Sequence, residues 1–415
     1  MEWIQASLKT YKGLPKSIYV LFFASVINNM GNFVSLFLTL FLTQKVGMKL
    51  SLVGTIVAIN AILGMVGALI GGRLIDTLGR KQILLIGRLT CALNYILCAL
   101  TMNPVLLTLL LLLSSLIGGL SQPVYGTMIT DLTEGEQRDT SFSLHYISIN
   151  VGSSVGPLLA GFLFENFLVG FFLGDALTTL ISLMMIWRHV PETKPSAESI
   201  QQIKKKDEQA EEGNLWQALC KRPMLLLFCG IIVIYFIVFS QFTFGLSLQT
   251  NDVFGLKGAK IFGLLIAINS ILCASLTVFV NAFMQKLHAA VSIALGGLFY
   301  AVGFGMLFSV NSLELFILST FIWTIGEIIV STKTGVYIAN HTPVTHRGRF
   351  NAVFPIIRRI GFATGPMIAG FFVEYTGLRY LWLLMGGLSV IGAALMYWLY
   401  IKEKAVNEAE IEGIA

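Results

Sequence analysis

Apolar residues run along this chain in blocks of about 20, the length a helix needs to cross a bilayer. Polar residues gather in short interruptions between the blocks. The pattern predicts twelve spans, at residues 17–44, 51–75, 82–101, 104–130, 141–165, 167–188, 224–249, 261–284, 290–309, 313–339, 350–373 and 379–401. The ten-residue alternation of a membrane barrel is absent. Lipid offers no water to backbone amides, so the spans are expected to be helices and the protein all-α. One long polar segment, containing KKKDEQAEE, separates spans six and seven. The expected layout is a six-helix half at 1–188, a cytoplasmic linker at 189–223 and a second six-helix half at 224–415.

Composition supports this picture. The chain is 55% hydrophobic and 12% charged, against about 25% charged in soluble proteins. Too little charge remains to coat a water-facing surface. Basic residues set orientation, because they concentrate on the cytoplasmic side. With the N-terminus inside, cytoplasmic segments and helix ends hold 22 of the 28 lysines and arginines. A multi-pass protein of the cell membrane is expected, with both termini cytoplasmic and the lipid bilayer as its surroundings. The net charge of +6 then reflects topology and gives no reason to expect nucleic acid. The first span is too long for a signal-peptide core. The five cysteines lie in or beside apolar segments, without metal spacing or a disulfide framework. No metal and no cofactor is expected.

The chain also repeats itself. RDTSFSLHYISINVGSSVGPLLAGFLFEN at 138–166 aligns without gaps to RGRFNAVFPIIRRIGFATGPMIAGFFVEY at 347–375. Gly152, Gly156, Pro157, Gly161 and Glu165 meet Gly361, Gly365, Pro366, Gly370 and Glu374 at a constant offset of 209, which is 347 less 138. Parallel repeats of this kind are related by an axis along the membrane normal and hold their site near the midplane. Glycines four apart allow close helix packing in lipid. Pro157 and Pro366 each remove a backbone hydrogen bond and are expected to kink or soften their helices.

Between spans two and three lies GGRLIDTLGRKQILLIGR, residues 71–88. It reads as a tight, charged turn. Gly72 and Gly79 suit close backbone approach and a sharp bend. Asp76 ends span two, where an acid suits the positive N-terminus of a neighbouring helix. The same offset lands on NAFMQKLHA at 281–289, which keeps the position and loses the acid and the glycines.

These motifs resemble those of the major facilitator superfamily, and within it the twelve-helix bacterial drug:proton antiporters. Gly72, Asp76, Gly79, Arg80 and Lys81 match the family's loop 2–3 signature. Gly152, Gly156, Pro157 and Gly161 resemble the antiporter signature of span five, with Ala160 in place of one glycine. The resemblance covers essentially the whole chain. It implies a cytoplasmic latch, in which Asp76 faces span eleven and Arg80 pairs with Asp131 at the end of span four. It also implies that span five helps control access.

Ionisable residues inside a membrane are expensive and default to functional hypotheses. Glu327 lies near the middle of span ten and is the first proton-coupling candidate; a static pair with Arg358, Arg359 or Lys333 is the competing expectation. Asp175 in span six and His145 in span five are the others. Asn29, Asn32, Gln241, Arg358 and Arg359 are candidates for lining a substrate cavity. Adjacent arginines do not share a helix face, so one of the two is expected to point inward. Aromatics of span seven beside an acid would suit lipophilic cations, although packing is the commoner role. No GxxxxGK[ST] loop occurs, so ATP is not expected to drive the protein directly. No nucleophile and base stand out as an enzyme's. The expected function is proton-coupled export of amphipathic drug-like compounds by a monomer, its partners being a small-molecule substrate and protons. A specific exporter of a sugar, amino acid or small anionic metabolite is the alternative. A non-transporting sensor or scaffold is the alternative of another class.

Overall fold

A computed structural model describes residues 13–101, 103–133, 135–194, 223–284, 286–341 and 347–411. Among the described residues all regular structure is helical. In order the α-helices are α1 (Lys16–Met30), α2 (Phe33–Leu40), α3 (Leu50–Leu78), α4 (Arg80–Leu100), α5 (Pro104–Leu132), α6 (Gly135–Asn166) and α7 (Leu168–His189). Then come α8 (Pro223–Phe239), α9 (Gly245–Phe254), α10 (Gly258–Met284), α11 (Ala289–Gly305), α12 (Leu313–His341), α13 (Arg347–Thr376) and α14 (Leu378–Ile411). Among the described residues ten stretches are long and apolar enough to cross a membrane. One of them, Pro223–Met284, contains three helices and spans 62 residues. The stretch α13 is not among the ten; it carries Arg358 and Arg359.

Local chemistry explains several boundaries. Asn103 starts α5: its Oδ1 accepts the amides of Val105 (3.0 Å) and Leu106 (3.1 Å), and Pro104 takes the first helical position. The 71–88 stretch is mostly helix. Only Gly79 interrupts it, with φ of 108°, a conformation that side chains disfavour. The tight glycine-rich turn expected from the sequence is therefore a single residue. Gly72 is not a close approach, since an added Cβ would meet nothing; Gly71 is, with its Cβ 2.3 Å from the Leu120 carbonyl oxygen.

Two apolar stretches expected to be single helices are broken. The first breaks at Gly31–Asn32, between α1 and α2. The second breaks at a 3₁₀ turn, Ser240–Phe242, between α8 and α9. Helices α6 and α13 run through Pro157 and Pro366 without interruption.

The chain divides into two compact units. One comprises Met1–Gly47, Ile59–Lys205 and Phe254–Ile271; the other comprises Met48–Ala58, Lys206–Val253 and Leu272–Ala415. In the first, α1 packs on α6 and α7, and α4 on α5 and α7. Ile18, Ile83, Val124, Met128 and Ile186 meet in its core. In the second, α11 packs on α12 and α14, and α8 on α13 and α14.

Candidate functional sites in the two units

In the first unit, Asp175 is buried on α7, and its Oδ2 accepts the Val34 amide at 3.0 Å. That amide belongs to the first turn of α2, which the break leaves without an intrahelical partner. A carboxylate suits the positive end of a helix. Gly31 makes room for the same face of α7: an added Cβ would lie 1.6 Å from the Thr178 hydroxyl oxygen. Asn32 is exposed at the break.

Asn29, on the last turn of α1, leads to a second polar group. Its Nδ2 donates to the Ser25 carbonyl (2.8 Å) and to Ser25 Oγ (3.3 Å). The Ser148 hydroxyl lies 2.7 Å from Ser25 Oγ and 3.5 Å from His145 Nδ1. The His145 ring stacks on Tyr125, with centroids 5.4 Å apart. Two sequence candidates, Asn29 and His145, are thus joined through serines that single-residue inspection passes over.

The start of α4 is the most densely bonded polar site. Arg80 is buried, its Nε 3.0 Å from Asp131 Oδ2 and its Nη1 3.0 Å from the Ile75 carbonyl oxygen. Lys81 Nζ donates to the Trp187 carbonyl at 2.7 Å. Glu192, just beyond α7, accepts the Arg80 amide at 2.8 Å and the Lys81 amide at 3.1 Å. Burial pushes the Glu192 carboxyl up, but the amides of Arg80, Lys81, Lys194 and Thr193 outweigh it and hold it below the ordinary value. The role of Glu192 was hidden because PETKPSAES reads as the opening of a polar linker. Its signal was an acid placed directly after a helix end. The Asp76 side chain lies outside the described residues. Arg88, grouped by sequence with the turn, lies two turns into α4, where its Nε is buried without a hydrogen bond.

In the second unit, Cys273 Sγ donates to Glu327 Oε2 at 3.5 Å. Glu327, Cys273 and Arg358 all lie within electrostatic reach of the Tyr300 phenol. The Arg358 guanidinium sits over the Phe362 ring, 5.3 Å from its centroid. Phe239 stacks on Phe242 (4.8 Å) and Tyr300 (5.8 Å), and touches Trp323 and Phe362. Helices α8, α10, α11, α12 and α13 thus bring one carboxyl, one thiol, one arginine and an aromatic cluster together. Lys333, an expected competitor for Glu327, instead donates to the Met284 carbonyl at 2.9 Å. Arg358 is exposed and Arg359 half-buried. Gln241 does not face open space. It is fully buried in the 3₁₀ turn, and its Nε2 donates to the Ile237 carbonyl (3.2 Å) and Ser240 Oγ (3.1 Å).

The counterpart of the 71–88 stretch keeps more chemistry than its sequence suggests. His288 stands 209 residues after Gly79 and caps α11, its Nδ1 accepting the Ala290 amide at 3.4 Å. Its Nε2 lies 3.9 Å from Glu403 Oε2, and the Tyr337 hydroxyl donates to the other oxygen of Glu403.

The paired glycines receive the broken helices. Cβ atoms added at Gly152 and Gly156 would lie 2.7 Å from the Val26 and 2.6 Å from the Met30 carbonyl oxygens, on the turns of α1 before its break. At Gly361 and Gly365 they would lie 2.4 Å from Phe236 Cβ and 2.0 Å from Ser240 Oγ, where α8 ends.

Comparison with known proteins agrees with this architecture. The family model of the Major Facilitator Superfamily matches residues 21–332 and 260–415. The uncharacterised MFS-type transporter YqjV of Bacillus subtilis is 20% identical, over 96% of this chain and 97% of its own. A Na(+), Li(+), K(+)/H(+) antiporter of Planococcus maritimus is 22% identical, over 84% and 88%. The quinolone resistance protein NorA of Staphylococcus aureus is 25% identical, over 86% and 90%. Among solved structures, a peptide transporter POT in complex with sulfate superposes with a TM-score of 0.76 at 16% identity, covering 94% of this chain and 96% of that one. The nucleoside transporter NupG superposes with a TM-score of 0.75 at 15% identity, over 93% and 99%. The chain belongs to the Major Facilitator Superfamily: it is a membrane transporter and not an enzyme.

Proposed function

We propose that this transporter exports amphipathic, drug-like compounds in exchange for protons. The observation that carries the proposal is the Glu327 carboxyl, set in an apolar helix against Cys273 and grouped with the Phe239–Tyr300–Trp323–Phe362 cluster. An acid beside aromatic faces suits a lipophilic cation or a proton, one at a time. Glu327 takes a proton from outside as substrate leaves and releases it inside as substrate binds. One proton crossing about 100 mV yields about 2.3 kcal/mol. Two relatives support the reading by their names, one a quinolone resistance protein and one a Na(+), Li(+), K(+)/H(+) antiporter.

The working architecture is twelve spans in two six-helix repeats, 1–188 and 224–415, with 189–223 and both termini cytoplasmic. The two breaks support it, since Gly31 and Asn32 stand 209 residues before Ser240 and Gln241. Transport proceeds by alternating access. Gly72, Asp76, Gly79, Arg80, Lys81 and Asp131 form the cytoplasmic latch, with Glu192 as its brace. Asp175 serves as the cap of α2, and Asn29 and His145 as a polar line in the first repeat. A single chain suffices.

A second reading, export of a small anionic metabolite, is favoured by the placement of Arg358 beside the same aromatic cluster. One experiment separates the two. Purified protein in proteoliposomes holding a pH dye is given cationic dyes, antibiotics, sugars and organic anions in turn. Antiport of drug-like cations added outside predicts an alkaline shift of the internal dye, only with the cationic compounds, because protons leave as substrate enters. A shift confined to anions supports the second reading, and none with any compound contradicts proton coupling.

A further inference from the structure

Glu165 and Glu374 end α6 and α13, and neither has a part in the proposed proton path. Each reaches the first turn of another helix in its own compact unit. Glu165 Oε1 accepts the Lys260 amide of α10 at 3.1 Å, and its Oε2 lies 3.0 Å from Lys260 Nζ. Glu374 Oε2 accepts the Ser51 amide of α3 at 3.3 Å. The amides at a helix start have no intrahelical acceptor, and the end is positive, so a carboxylate there acts as a cap.

The two contacts are images of one another. Ser51 and Glu165 stand 209 residues before Lys260 and Glu374. The backbone contacts beside them obey the same rule. A Cβ added at Gly263 would lie 2.2 Å from the Pro157 carbonyl oxygen, and one at Gly54 would lie 2.3 Å from that of Pro366. Likewise Gly161 meets the Ala259 carbonyl oxygen at 2.8 Å and Gly370 that of Leu50 at 2.5 Å. Glycine, proline carbonyl and terminal carboxylate thus recur in one order on both seams. A packing accident on one seam would not repeat in register on the other.

We propose that Glu165 and Glu374 are paired outer latches, whose release lets the outer side of the transporter open. The inference rests on the orientation proposed above, which puts the ends of α6 and α13 and the starts of α3 and α10 outside. Each acid ends a repeat-related span and grips the start of a helix from the opposite repeat. The seams hold the outer ends together while the carboxylates cap. The Glu165 seam has a direct ion pair, to Lys260, whereas Glu374 is held by the Ser51 amide and hydroxyl with only the charge of Lys49 nearby.

The test is reaction with a membrane-impermeant maleimide in intact cells. Ala259→Cys places a thiol in the Glu165 seam, at a position only 2% exposed. Leu256→Cys places one on the neighbouring surface, 93% exposed. The chain without either substitution gives the background of the native cysteines. The Leu256→Cys thiol should react quickly from outside; if it reacts only after the cells are opened, the orientation fails and the outer latch with it. Given that reaction, loss of a cap should raise the Ala259→Cys rate about fivefold for Glu165→Gln, by a smaller factor for Glu374→Gln, and by the product of those two factors for both if the seams are independent. Glu314→Gln, an exposed carboxyl on the same side, serves as the matched control. Unchanged Ala259→Cys rates in both variants, or an equal rise with Glu314→Gln, would overturn the latch. A rise in Leu256→Cys rate by the same factor would indicate loosened folding instead and would also overturn it. Glu165→Asp should recover much of the wild-type rate, since it keeps the charge.

Discussion

Glu192 shows how much one carboxylate fixes. It caps α4, and the close approach explains the residue beside it: a Cβ at Gly79 would lie 2.7 Å from Glu192 Oε2, in a backbone region that already disfavours side chains. The ionised carboxylate is the capping form. Because the folded carboxyl titrates below its ordinary value of 4.5, its contribution is complete above that pH and is lost as pH falls through the lowered value. Glu192→Gln should cost about 0.5–1 kcal/mol, at the low end for a cap because the group is largely in water. Hydrogen exchange at the Arg80 and Lys81 amides measures this. Protection in the wild type should fall at acid pH, whereas the variant should be weak and insensitive to pH in that range. Equal protection in both proteins at neutral pH would remove the cap from the account. The residues legible beforehand were charges and glycines standing out of apolar runs: Asp131, Arg80, Glu327. Ser25, Ser148 and Cys273 were not, because small weakly polar residues are ordinary in membrane helices and acquire meaning from a neighbour.

At the scale of elements, hydropathy marks where a chain is buried in lipid but not whether its helix is continuous. It passes smoothly over Gly31–Asn32 and Ser240–Phe242, so both breaks were invisible. What permits them is tertiary. Asp175 takes an amide freed at α2. The Ser240 hydroxyl and Gln241 side chain take the Ile237 carbonyl. Buried backbone in lipid has to be satisfied in this way. The repeated glycines were legible as packing residues, while their partners, the turns before the breaks, were not. Gly156→Ala would put a methyl group against the Met30 and Asn29 carbonyl oxygens, at 2.6 and 3.0 Å. The resulting shift should cost about 1–3 kcal/mol. A thermal-stability measurement in detergent should therefore show a lower midpoint for Gly156→Ala than for Gly72→Ala, whose added methyl group meets nothing. Equal midpoints would mean that α1 is not seated on α6 as described.

At the scale of the whole molecule, a frame of membrane-length helices carries the proposed coupling acid, Glu327. That frame was readable from sequence, since the length of apolar runs is a one-dimensional signal. The grouping of Glu327, Arg358, Tyr300 and Cys273 was not, because four successive helices supply one side chain each and only their packing brings these together. The central claim is that Glu327 couples proton movement to substrate movement. It is tested most directly by comparing wild type and Glu327→Gln in proteoliposomes, using a compound that produces a pH change with the wild type. Two rates are read: exchange of labelled substrate without a pH gradient, and accumulation driven by one. Glutamine keeps the shape but carries no proton, so exchange should persist while gradient-driven accumulation and the pH change fall to background. Accumulation by the variant at the wild-type rate, with an undiminished pH change, would contradict the account.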